Sequence, residues 1–290
     1  MLIQQLFTGL SIGGIYALMA VGYSLIYSLL NFTNFAHSIA VTVGAYTGFL
    51  ILSKYIPNLY IALVMAIIIG GIISAFIETI SYRPLLNKGA KRIYLLIAGL
   101  GLSTAGENLL IIIFGGRFKA YPNINNANPI NILGASIGSV DIIILIVSVI
   151  TLILVEILIQ KSKVGLAIRG AAFDLDVTSL MGVNVNRLIL IVFIIAGSLA
   201  GLSGFFLGMK YTAYPALGQM TTKAFIGAVL GGLGSIQGAV LGAIILGIIE
   251  TLISAFISSS MRDIVSFSIL ILVLMIRPNG IMGKITEDKA

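Results

Sequence analysis

KSKVGLAIRGAAFDLDVTSLMGVNVNR, residues 161–187, is the longest polar interruption carrying both charge signs, and apolar stretches enclose it on both sides. From Gly165 to Leu180 the pattern suits one amphipathic helix. Leu166, Ile168, Ala171, Ala172, Leu175, Thr178 and Ser179 are interleaved with Arg169, Asp174 and Asp176. Gly182 closes the segment, glycine being favoured just past a helix end. A short helix lying against the face of a membrane domain is a place where another protein can hold it.

The chain around it is membrane. Hydrophobic residues make up 59% and charged residues 9% of 290, with mean hydropathy +1.12. Soluble domains carry about 25% charged residues, so the composition defines a multi-pass membrane protein. No room is left for a folded soluble domain, and no GxxxxGK[ST] occurs, so nucleotide chemistry has to come from another chain. Cys is absent and there is one His, which leaves no cysteine metal site, no disulfide and no implied cofactor. The net charge of +7 is carried by short loops, where it orients the chain and is no nucleic-acid signal. The start is apolar from Met1 and lacks a basic n-region, so it reads as a retained first span.

On a ruler of about 20 apolar residues per crossing, about eight spans are expected, near 5–30, 36–53, 59–81, 93–114, 140–160, 188–209, 221–257 and 263–277. The expected fold is an all-α polytopic transmembrane bundle, one transmembrane domain over 1–290 with broken or half helices. The seventh stretch is too long for one crossing and is interrupted by GGLGSIQG at 231–238. It reads as a half-helix plus a full span, or as two spans. Arg83, Lys88, Lys91 and Arg92 in one loop, and Lys161, Lys163, Arg169 and Arg187 in another, put both loops on the cytoplasmic side. Segment 115–139 then lies outside. Arg277, Lys284 and Lys289 favour a cytoplasmic C-terminus, which requires two crossings within 211–257. In the sixth span Gly197, Gly201, Gly204 and Gly208 form one small-residue face suited to close helix packing.

Several segments carry a resemblance: GLSIGGIYALMAVGYSLIYSLLNFTNFAHS at 9–38, RGAAFDLDVTSLMGVNVNR at 169–187, FIIAGSLAGLSGFFLG at 193–208, KAFIGAVLGGLGSIQGAVLGAIILGIIET at 223–251 and RPNGIMG at 277–283. In this order they resemble the permease subunits of bacterial ABC importers for branched-chain amino acids, in particular the smaller, LivH-like type. Two positions depart from the family pattern: Ser38 stands where Gly is usual after NFAH, and Gln237 where Pro is usual in the turn. The resemblance implies alternating access in a bacterial plasma membrane, with no catalysis by this chain. It also implies a second, homologous permease, two cytoplasmic ATPase subunits and an extracytoplasmic substrate-binding protein. The implied cargo is leucine, isoleucine or valine; urea and short amides are carried by related systems.

Three groups of residues are candidates for mechanism. Gly165, Arg169, Ala171, Asp174, Leu180 and Gly182 meet the needs of an ATPase-coupling segment: an apolar side to insert, charges to orient, and glycines to set the angle. Asn31, Asn34 and His37 recur at spacing three between two apolar runs, and with Glu107 and Asn108 they are candidates to line a pathway, since lipid offers polar groups no partner. Among embedded carboxyls, Glu78 is expected to form a surface pair with Arg83 or to snorkel. Glu107 is the candidate for a pathway or buried pair, and Glu250 could pair with Lys223 or Arg262. An ion-driven secondary transporter would need a connected ionisable chain and inverted halves; only a loose echo links 9–14 with 227–234. A membrane-embedded enzyme would need metal ligands or a nucleophile with its base, and neither set stands out.

Overall fold

The computed structural model describes residues 2–122, 130–132 and 135–283. Within these it is a helical membrane bundle with a single two-stranded hairpin, β1 (Ile130–Ile132) and β2 (Ala135–Ile137). Helix α1 (Leu2–Leu30) is apolar on every side and buried nearly all round, as a helix without an amphipathic stripe has to be. It packs against α11 (Ile236–Phe256), α9 (Val185–Lys210), α10 (Thr221–Gly231) and α6 (Ser139–Lys161). Glycine makes this possible: a Cβ on Gly13 would come within 2.9 Å of Ile244 Cα, and one on Gly9 within 2.9 Å of Ile248 Cα.

Among the described residues six helices are long and apolar enough to cross a bilayer: α1, the continuous run Leu59–Asn87, α5 (Arg92–Phe114), α6, α9 and α11. The run Leu59–Asn87 comprises α3 (Leu59–Ile77), a π-turn over Glu78–Tyr82 and α4 (Arg83–Asn87). Asn58 starts it by accepting from the Tyr60 and Ile61 amides at 3.0 and 3.3 Å. The spans expected near 36–53 and 263–277 are shorter helices, α2 (His37–Leu50, extended by a π-turn to Tyr55) and α12 (Met261–Ile276). The long seventh stretch resolves into a half-helix plus a full span. The 11-residue α10 reaches only about 16 Å at 1.5 Å per residue. A 3₁₀ turn at Pro215–Met220 precedes it, and α11 follows after the Gly232 and Gly234 bends, with φ +113° and +87°.

Helices α3 and α9 are antiparallel: Gly201 meets Ala66 and Gly70, Gly197 meets Ser74, and the Tyr82 and Phe193 rings lie 5.5 Å apart. The loop 83–92 therefore sits at the same end as the start of α9 and the polar segment 161–187. The C-terminal segment returns to this basic end as well. The Ile281 and Met282 amides donate to the Leu230 and Gly231 carbonyls at 2.9 and 2.8 Å, and Gln237 donates to Glu156 near the end of α6. Arg277 is thus placed with the other basic residues; Lys284 and Lys289, and residues 123–129 and 133–134 of segment 115–139, lie outside the described residues. At the opposite end Asp141 is paired with Lys210, and Lys119 forms a backbone bridge with Ala213.

The glycine face of α9 is shared among partners. Gly197 and Gly201 meet α3, Gly204 meets the Val41 backbone of α2, and Gly208 meets the Tyr121 ring. A Cβ on Gly204 would overlap the Val41 carbonyl, so Gly204→Ala is expected to destabilise the bundle by about 1–3 kcal/mol, read as a lower unfolding midpoint of the detergent-solubilised chain.

Candidate functional site

The mixed-charge segment folds as two helices, not the single one expected over 165–180. Helix α7 (Lys163–Phe173) begins where Ser162 Oγ accepts from the Gly165 amide at 2.9 Å. Asp174 then takes an extended conformation (φ −159°, ψ 119°), and its carboxylate accepts from the Asp176 and Val177 amides at 2.8 and 3.0 Å. It thereby caps α8 (Leu175–Leu180). Aspartate is a weak helix-interior residue and a strong N-cap, and that preference breaks the helix here. Asp174→Ala is expected to cost α8 about 1 kcal/mol, measurable as faster hydrogen exchange at the Asp176 and Val177 amides. Gly182 follows with φ +86°, and Asn184 caps α9 by accepting from the Arg187 amide at 3.0 Å.

Inside the segment, Gly165, Ile168, Ala171 and Thr178 face the bundle. Gly165 is tight against the Ile159 carbonyl, where no side chain fits. Arg169 turns back onto the end of α6, donating to the carbonyls of Ile159 and Gln160, the latter at 3.0 Å. A cation at a helix C-terminus is stabilising there, so Arg169 sets the angle of α7 against α6. Among the exposed residues are three large apolar side chains: Phe173 is 89%, Leu180 86% and Met181 81% exposed. Leu166 and Val177 extend the same crown. At the basic end of a membrane domain, such a crown is a candidate interaction surface.

The break between α1 and α2 is real, but it does not align Asn31, Asn34 and His37 on one face. Asn31 ends α1 with φ +51° and is exposed. Asn34 is buried and accepts from the Tyr82 hydroxyl at 2.7 Å. His37 opens α2, buried against the Tyr23 ring (centroids 4.8 Å apart) and Gly22, and neither ring nitrogen has a hydrogen-bond partner. The next residue, Ser38, reaches across to α5, its hydroxyl 2.7 Å from that of Ser103.

The embedded carboxyls have three different surroundings. Glu78 is no surface pair: it is 1% exposed and held in a fork by Arg83 Nε at 3.1 Å and Nη2 at 2.7 Å, because it continues the buried four-residue row Ala62, Ala66, Gly70, Ser74 of α3. Glu250, also 1% exposed, pairs with Lys223 Nζ at 3.1 Å and accepts from the hydroxyls of Tyr16 (3.0 Å) and Ser266 (2.8 Å). Lys223 in turn meets Asp263 at 2.7 Å, so the half-helix α10 is pinned to α11 and α12 by charge. Glu107 is half-buried and has no cation among the described residues; its carboxylate accepts from Gln219 Nε2, at 3.1 and 3.4 Å. Beside it, Asn108 is exposed and donates to its own helix at Thr104 O, 2.8 Å away. Ser38, Ser103, Thr42, Glu107, Pro215 and Gln219 line a small recess between α2, α5 and the 3₁₀ turn. Thr42 fixes that turn by accepting from the Gly218 amide at 2.9 Å. Among the described residues no cluster of ligands suits a metal ion.

These features define a multi-pass helical membrane protein in which Glu78 and Glu250 are buried in ion pairs and Glu107 faces a small recess. The chain belongs to the family described as "Branched-chain amino acid transport system / permease component", whose model matches residues 5–274. It is 38% identical to the high-affinity branched-chain amino acid transport system permease protein LivH of Salmonella typhimurium, covering 99% of this chain and 97% of the relative. The corresponding values are 37%, 99% and 97% for LivH of Escherichia coli K12, and 35%, 99% and 97% for BraD of Pseudomonas aeruginosa. No solved structure matches the chain.

Proposed function

We propose that this chain is the membrane-spanning half of a bacterial ABC importer, moving branched-chain amino acids inward by alternating access driven by separate ATPase subunits. The observation that carries this reading is the apolar crown of Phe173, Leu180 and Met181 on α7–α8. It stands at the end of the bundle where the basic loops gather, which is the cytoplasmic end by the positive-inside rule. Gly165, Ala171, Asp174 and Gly182 shape the segment, Arg169 sets its angle, and Leu180 with Phe173 inserts into a groove on the ATPase. The charge of Arg169 is offset by Asp174 and Asp176, which favours a protein groove over anionic lipid headgroups.

The second support comes from α5. Thr104 and Asn108 are exposed, and Glu107 half so, within an apolar helix; a charged group facing lipid there would cost about 2.5–3.5 kcal/mol on insertion scales. That face is accounted for if it meets a second, homologous permease across the pathway. An external binding protein delivers the ligand, and this chain performs no catalysis. The whole of 1–290 acts as one permease domain, with 161–187 as its coupling loop, in the bacterial plasma membrane. The test is leucine uptake into proteoliposomes holding the full assembly. Uptake that requires ATP and the ATPase subunits supports the reading, and uptake by this chain alone, driven by an ion gradient, replaces it with a secondary transporter.

A further inference from the structure

Glu107 stands apart from the other carboxyl groups set in the helices of this bundle. Glu78 has Arg83, Asp141 has Lys210, and Glu250 and Asp263 share Lys223. Glu156 lacks a cation but lies within two turns of the basic end of α6, held by Gln237 and Gln160. Glu107 lies mid-helix in α5, with an amide donor and no counter-charge among the described residues. Around it the recess offers the hydroxyl oxygens of Ser38 and Ser103, the Gln219 amide, and the apolar walls of Pro215, Ile39 and Leu110. Its clear space is about 10 Å³, the measure of one water molecule and therefore of one ammonium group.

We infer that this recess is a transit site for the α-ammonium group of a zwitterionic amino acid. Glu107 supplies the counter-charge, Ser38 and Ser103 accept further hydrogen bonds, and the apolar walls sit beside the cargo's hydrocarbon side chain. The site deepens the importer reading and rests on it. It also separates the candidate cargoes: an ammonium head adds opposite charge to its hydrogen bond with the carboxylate, an ion pair that neutral urea or a short amide cannot form. Gln219, brought in by the 3₁₀ turn, positions the carboxylate. Ser38 occupies the position where the family usually has glycine and so adds an acceptor to the recess.

The experiment uses the full importer in proteoliposomes, with radiolabelled leucine and ATP hydrolysis measured together, for the native chain, Glu107→Gln and Glu107→Asp. Glu107→Gln is expected to lower the leucine carried per ATP by about tenfold or more, the scale of a lost charge-assisted hydrogen bond. Assembly and binding-protein-stimulated hydrolysis stay close to native, and Glu107→Asp recovers part of the loss. An unchanged leucine-to-ATP ratio in Glu107→Gln, with native uptake intact, overturns the ammonium site alone. Failure of Glu107→Gln to assemble also overturns it, marking Glu107 as the counter-ion of a base on the second permease. Absence of ATP-driven uptake in the native assembly overturns the importer reading together with the site.

Discussion

Replacing Phe173 and Leu180 together by serine is expected to abolish ATP-driven uptake while leaving the bundle folded. Both side chains are almost fully exposed, so neither contributes to the fold of this chain. Burying each against a partner is worth about 1.5–3 kcal/mol. Their joint loss then weakens ATPase association by roughly 10² to 10⁴-fold, at 1.4 kcal/mol per tenfold. Co-purification of the ATPase subunits and leucine uptake are expected to fall together, with the thermal unfolding of the isolated permease unchanged. Charge reversal at Arg169 or Asp174 is a less discriminating test. Arg169 caps α6 and Asp174 caps α8, so such variants disturb the shape of the segment as well as its surface.

The second large effect is expected at Lys223. Its ammonium group is shared by Glu250 and Asp263, and the Glu250 carboxylate is fully enclosed. Lys223→Met leaves that charge buried with only the Tyr16 and Ser266 hydroxyls, at a cost of about 3–5 kcal/mol. The double variant Lys223→Met, Glu250→Gln is expected to recover most of the loss, because the uncompensated charge is gone. Equilibrium unfolding in mixed detergent micelles measures both, and a double variant no better than the single would remove the ion pair from the account. The pair clamps the half-helix α10 against α11 and α12, so its loss should also loosen the broken seventh stretch.

Much of this architecture is legible in the sequence because lipid imposes simple rules. Apolar length marks α1, α5, α6, α9 and α11, and GGLGSIQG marks the turn before α11. Gln237 in place of the usual proline removes no turn. The bend is made by positive-φ Gly232 and Gly234 and by the Ser235 cap on the Gly238 amide, and Gln237 is left free to bond Glu156. Periodicity misleads where a polar side chain competes with the helix. The pattern 165–180 reads as continuous until Asp174 spends its carboxylate on two amides, and Asn31, Asn34 and His37 are spaced as if helical although a turn separates them. Surroundings that depend on distant segments cannot be read from spacing. Gln219 meets Glu107 across 112 positions, whereas the inward position of Glu78 does follow from spacing, on the buried row Ala62, Ala66, Gly70, Ser74. Ser38, one of the two departures from the family pattern, is made by the fold into a bridge to Ser103.

The chain contains no cysteine, so one placed at position 180 is a unique chemical handle. Leu180→Cys, bearing a photoactivatable cross-linker and assembled in native-like vesicles, is expected to form its adduct with the ATPase subunit, and to do so differently with and without ATP. An adduct confined to lipid or to this chain's own helices would contradict the account. So would labelling of position 180 by an impermeant thiol reagent from the external face.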